Sequence, residues 1–136
     1  MPVELNERDR RFLADVRLGI LSTPSDDWPL SIPVWFEWAD AVQLFSFGTA
    51  PKVARLRAEP RASFLVVNHL DEPEHWVAID GEAVITGDGF PLAERLAPRY
   101  WDLDDPARAD TIEQWRSMAD QFVRITIRPQ RIRHHT

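Results

Sequence analysis

A small, mainly β barrel with a few flanking helices is the fold class this sequence predicts, and three observations predict it. Short runs rich in β-branched and aromatic residues recur along the chain, separated by turn residues. The helical patterns between them are too few to cover both faces of a parallel sheet. The last run, QFVRITIRPQRI (Gln121 to Ile132), alternates cleanly: Val123, Ile125 and Ile127 face one way, Arg124, Thr126 and Arg128 the other. Closing such strands into a barrel also removes exposed sheet edges.

Each element follows from its residues. Asn6 is placed to cap a first helix running to about Arg17, with Phe12, Leu13 and Val16 on its apolar face. LGILST (Leu18 to Thr23) reads as a short buried strand, and PSDDWP as the turn after it. LSIPVWFEW (Leu30 to Trp38) and AVQLFSF (Ala41 to Phe47) lie only Ala39-Asp40 apart and read as a hairpin. Pro33 cannot donate to a ladder, so its strand must be an edge, bulged or interrupted. A helix from Thr49 to Ala58 precedes strands RASFLVVNH (Arg61 to His69) and HWVAIDGEAVIT (His75 to Thr86). Helical patches from Pro91 to Ala119, broken by DLDDP, lead to the closing strand, which makes six strands in all.

Composition narrows the function classes. With 136 residues, no repeats and no low-complexity linker, residues 1–136 are expected to form one domain. Such a chain is short for an active site enclosed within one subunit, so a homodimer is the natural expectation. A net charge of -6 argues against nucleic acid as partner, because neutralising phosphates needs a basic surface. The chain has no cysteine, which excludes disulfides, thiolate metal sites and cysteine nucleophiles. Its amino terminus lacks the apolar run of a signal peptide, and no segment approaches the ~20 apolar residues of a membrane span. A cytoplasmic protein with no membrane partner is expected.

One short stretch carries a chemical signal. SFGTAPKVARLRAEPRA (Ser46 to Ala62) holds Lys52, the only lysine in a chain whose Lys+Arg total is 16. Thr49 is placed to cap the helix there, so that free backbone N–H groups, the hydroxyls of Ser46 and Thr49, and the Lys52 ammonium would share one corner suited to a phosphate. An ordinary capped helix with a solvated lysine is the simpler account of the same residues. Arg55 and Arg57 would extend the positive corner or simply be solvated.

The order of these elements resembles the pyridoxamine 5'-phosphate oxidase-like split β-barrel family, which includes flavin- and deazaflavin-dependent reductases. The similarity runs from about Leu13 to Ile132, and its most specific pieces are IPVWF, the Lys-x-x-x-Leu-x-x-x-Pro-Arg pattern from Lys52 through Leu56 to Pro60-Arg61, and the DGEA turn. The resemblance implies a six-stranded split β-barrel homodimer with a cofactor, FMN or coenzyme F420, at each interface site. It also implies hydride transfer between that cofactor and a small organic substrate. Cofactor contacts would come from Pro33, Val34 and Trp35 on the proline-broken strand, from Ser46, Gly48, Thr49 and Lys52 at the helix start, and from Trp76 of the partner subunit. For Trp38, Trp101 and Trp115, packing is the expected role.

Departures from that pattern restrict what it implies. SDDWP stands where many relatives have a glycine, so Trp28 either projects over the pocket or marks a longer loop. SIPVW lacks the arginine of FMN-binding members, which weighs against the pyridoxamine phosphate oxidase reaction itself. GTAPK lacks the arginine of the deazaflavin pattern, leaving Lys52 to carry more of the phosphate charge. No residue is singled out as general acid or base, and Glu37 and Asp80 are candidates only for placing substrate; hydride transfer requires none. His69 and His75 with Asp71 or Glu74 are read as a polar loop, and no metal is expected. The rivals are haem ligation by His134 or His135 in the tail RIRHHT, and a non-enzymatic cofactor-binding module.

Overall fold

The computed structural model describes residues 4–135. In chain order they form α1 (Glu7–Ala14), β1 (Gly19–Thr23), β2 (Leu30–Val34), β3 (Glu37–Trp38), β4 (Val42–Phe47) and α2 (Pro51–Ala58). There follow β5 (Arg61–Val67), β6 (Trp76–Thr86), α3 (Gly89–Tyr100), α4 (Pro106–Ser117), β7 (Phe122–Ile127) and β8 (Arg131–His134). All neighbouring strands pair antiparallel in the order β2-β1-β5-β6-β7-β4-β3, with β8 on β6 outside that path. The two ends of the path, β2 and β3, are joined by Trp35 and Phe36 alone, so the sheet curls round to meet itself at an unpaired seam. This is the split β-barrel with flanking helices that the resemblance implied.

Two of the six expected strands are each divided. The run from Leu30 to Trp38 parts at Trp35-Phe36, and the closing run parts at Arg128–Gln130, where Pro129 cannot donate to a ladder. The expected hairpin is accordingly only half present. Glu37 and Trp38 pair with Gln43 and Val42 across Asp40, which takes a left-handed φ of 56°. Leu30–Val34 instead pairs with β1, opposite Thr23 to Gly19, and is an edge strand, as Pro33 requires.

The helices differ from expectation in smaller ways. Asn6 caps α1 through a capping box with Asp9, but the helix ends at Ala14, and Val16 is left exposed rather than on the buried face. Helix α2 begins at Pro51 with Ala50 as N-cap and no side-chain cap bond. Thr49 therefore does not cap it. A proline is pre-set for the first helical position and holds the residue before it extended, which moves the N-cap one residue past Thr49, to Ala50.

Alternation along the strands builds the core. Leu21, Phe36, Leu44, Phe64, Ile79, Ile125 and Ile127 fill the barrel, closed from one side by Val53 and Leu56 of α2 and by Leu13 of α1. Burial of each such side chain contributes on the order of 1.5–3 kcal/mol. On the other face of β4, Phe45 and Phe47 meet Phe90, Trp115 and Phe122 under α3 and α4. At Gly81 a Cβ would lie 2.3 Å from the Arg128 carbonyl oxygen, so only glycine lets β6 pass beneath the returning chain.

Part of one sheet face is left uncovered by the described residues. Pro33, Ile20 and Leu65 stand opposite one another in a row across β2, β1 and β5, continued on β6 by Ala78, which its neighbours bury, with Val67 opposite Trp76 beside them. Leu65 is 39% and Val67 48% exposed. None of the helices among the described residues is long and apolar enough to cross a membrane.

Candidate functional site

Two clefts adjoin Lys52. The first, about 340 Å³, is lined by Leu18, Pro33, Val34, Trp35 and Phe45 together with Lys52. The second, about 320 Å³, is lined by Leu30, Ser31, Ile32, Ala50, Pro51 and Arg55, again with Lys52. The fold explains the convergence. Edge strand β2 runs past the start of α2, and the seam after Val34 turns Trp35 toward the helical layer, where it packs against Phe45, Tyr100, Trp101 and Trp115.

Lys52 is half-buried, and burial, aided by the nearby Arg55 charge, holds its ammonium below the usual lysine range. Among the described residues no carboxylate forms a salt bridge with it. Its backbone N–H has no acceptor in the turn either. Pro51 carries no N–H, and the first donors to the Ala50 carbonyl are Val53 at 3.0 Å and Ala54 at 3.4 Å. Arg55 is fixed beside it, its Nε donating to Thr23 Oγ1 at 3.1 Å. A desolvated cation without a counter-charge, next to a free amide and an apolar wall, is chemistry for an anionic group attached to a flat apolar body.

A larger cleft, about 570 Å³, lies around Ser22, Ser63, Asp80 and Arg131, but its charges satisfy one another. Asp80 accepts from Ser63 at 2.6 Å, Arg131 at 2.6 Å and Arg133 at 2.9 Å. Burial pushes its carboxyl up, and these three partners outweigh burial and hold it at about 2.

The structure thus brings Pro33, Val34, Trp35 and Lys52 together, and separates the other expected contacts. Ser46 points its side chain to the buried face of β4 and donates to the Phe47 carbonyl at 2.9 Å. Gly48 donates its N–H to Gln121 at 2.8 Å, and Thr49 is exposed. Trp76 lies on the uncovered sheet face, three strands from Pro33, which is roughly 14 Å at ordinary strand spacing. Arg57 is exposed and lines neither cleft. Leu18 and Phe45 line the first cleft and were not foreseen, since an apolar residue in a strand carries no mark of its role.

The histidines fall elsewhere. His75 and His134 both bond the fully buried Asp9, at 2.9 and 2.6 Å, and His69 sits beside Glu72. No group of three or more metal-binding side chains is present among the described residues. His134 and His135 line neither of the clefts on Lys52.

No protein-family model matches the chain, and no curated protein matches it. Solved structures do. An F420 reductase is 21% identical over 95% of this chain and 98% of its own, with a TM-score of 0.75. A putative pyridoxamine 5'-phosphate oxidase from Listeria innocua is 22% identical over 96% and 98%, with a TM-score of 0.69. A haem-binding protein from Mycobacterium smegmatis is 23% identical over 98% of this chain and 55% of its own, with a TM-score of 0.67. The likeness is one of fold: these are split barrels of the pyridoxamine 5'-phosphate oxidase type.

Proposed function

We propose that the chain is an oxidoreductase that binds FMN or coenzyme F420 beside Lys52 and passes a hydride between it and a small organic molecule. The observation that carries this reading is the half-buried Lys52 ammonium, without a carboxylate partner among the described residues, between an apolar-aromatic cleft and a second cleft bearing Arg55. Lys52 and Arg55 hold the phosphoryl group, and the Lys52 backbone N–H adds a donor. Leu18, Pro33, Val34, Trp35 and Phe45 take the flat heterocycle against an apolar wall that excludes water. When bound, the isoalloxazine-type ring supplies the hydride chemistry, while the protein supplies orientation and electrostatics. Ser46, Gly48 and Thr49 act through the backbone that leads into α2.

The uncovered sheet face supports a homodimer. Pro33 belongs both to the cleft and to the exposed apolar row with Ile20 and Leu65, so a second copy laid on that face borders the cleft. Trp76 is too far across the sheet to reach the cleft of its own chain, and on the partner subunit it completes the site. A cytoplasmic location suits such an enzyme.

Titration of the cofactor-free protein with FMN and with F420, followed by fluorescence, tests the proposal. Saturable binding of one cofactor per chain is expected, and uptake of neither contradicts it. Reducing the bound cofactor and mixing it with organic acceptors separates a reductase from a carrier: reoxidation marks the former, persistence the latter. A Soret band in the purified protein instead of a flavin spectrum would favour haem.

A further inference from the structure

The β1–β2 ladder stops at Gly19 opposite Val34. Leu18 and Trp35, the next residues outward on the two strands, both line the apolar cleft and have no rung between them. One side chain bridges this gap. Tyr100, the only tyrosine in the chain and the last residue of α3, donates its hydroxyl to the Arg17 carbonyl at 2.5 Å and accepts the Phe36 N–H at 3.2 Å. Arg17 precedes Leu18 and Phe36 follows Trp35, so a single phenol oxygen ties the strands just beyond the point where their own pairing ends.

The rest of the tyrosine serves the same wall. Its ring lies parallel to the Trp35 indole, with centroids 5.0 Å apart and planes 5° from parallel. The anchor on the other side is firm, because buried Arg17 donates from Nε to the Phe12 carbonyl at 3.1 Å and from its guanidinium to Glu72 at 2.7 Å. Burial pushes the Tyr100 hydroxyl above the usual phenol range, more than the Phe36 and Arg17 backbone groups and the Arg99 charge lower it, so its proton stays in place at neutral pH.

We infer that Tyr100 is the positioning residue of the cleft: its hydroxyl replaces the missing rung across the barrel seam, its ring sets the plane of Trp35, and ligand affinity depends on that hydroxyl although Tyr100 lies outside the cleft lining. This rests on the reading of the cleft as a cofactor site.

Tyr100→Phe keeps the ring and removes only the oxygen. The chain is labelled with 5-fluorotryptophan, which places a fluorine on each of its 6 tryptophans, and Trp35→Phe assigns the resonance of interest. In cofactor-free protein, Tyr100→Phe is expected to shift or broaden the Trp35 resonance while those of Trp28 and Trp76 stay in place. Affinity for whichever of FMN and F420 the parent chain binds is expected to fall about tenfold, the effect of losing one buried hydrogen bond. An unmoved Trp35 resonance overturns the inference, as does a moved resonance with unchanged affinity. A parent chain that takes up neither cofactor overturns the functional reading, and the fluorine resonance alone then upholds or overturns the positioning role.

Discussion

Asp9 and Lys52 are both withdrawn from water, in opposite company. Asp9 is fully buried, yet it has His75 and His134 within hydrogen-bond distance and also accepts the Asn6 N–H at 3.3 Å. Lys52 is half-buried and has no carboxylate partner among the described residues. The first arrangement joins α1, the start of β6 and the end of β8, and its reward is stability. The second costs desolvation without return among the described residues, which fits the proposed site for an external anion and sets it apart from a hydrogen-bonded structural cluster.

Substitutions at the two places should therefore separate stability from binding. Asp9→Ala strips His75 and His134 of their shared acceptor and removes the capping box of α1, and is expected to cost about 3 kcal/mol of unfolding free energy in urea titrations. A loss within about 0.5 kcal/mol, the range of ordinary surface changes, would make the junction dispensable. Lys52→Ala is expected to leave unfolding within that same narrow range while weakening cofactor binding by about 1.5–3 kcal/mol.

The next two effects are smaller and sharpen the contrast at its borders. Leu65→Arg places a charge on the uncovered sheet face and should weaken self-association about tenfold, or about 1.4 kcal/mol, by sedimentation. An unchanged dimer would move the interface elsewhere. Asp80, like Asp9, has its partners within the chain: Ser63, Arg131 and Arg133. Its carboxyl titrates near 2 in the folded chain against an ordinary value of 3.8, so its stabilising effect is complete above about pH 4 and drains away as pH falls toward 2. Unfolding curves of the parent chain and Asp80→Asn should differ at pH 5 and converge near pH 2, and a constant difference would exclude the linkage.

Much of this was legible in the residues themselves. Period-two runs located the strands, Asn6 announced its helix, and Pro33 announced an edge, a bulge or an interruption, of which the structure shows the edge. Alternation shows which side chains share a face and says nothing about which strand lies alongside. Hence Leu30–Val34 was assigned to Ala41–Phe47 by nearness in sequence, whereas it pairs with Gly19–Thr23. Lys52 and Pro33 stand out in the sequence because a lone lysine and a strand proline are chemically unusual, whereas the cofactor contacts proposed for Pro33 to Trp35 follow from the family resemblance, and the structure shows only that these residues line one cleft with Lys52. Thr49 misled because a hydroxyl before a helix is a strong capping signal, which Pro51 overrides. Tyr100 was invisible, since its role depends on a contact 64 residues away in sequence.

Whether Lys52 holds a phosphoryl group is tested by comparing a phosphorylated cofactor with its dephosphorylated counterpart, FMN with riboflavin for the flavin, on the parent chain and on Lys52→Ala. The parent chain is expected to prefer the phosphorylated form, and Lys52→Ala to cut this preference by about tenfold or more, leaving Arg55 and the backbone N–H to supply the remainder and affinity for the dephosphorylated form unchanged. A preference undiminished by the substitution, or an equal loss for both ligands, would contradict a phosphoryl group held by Lys52.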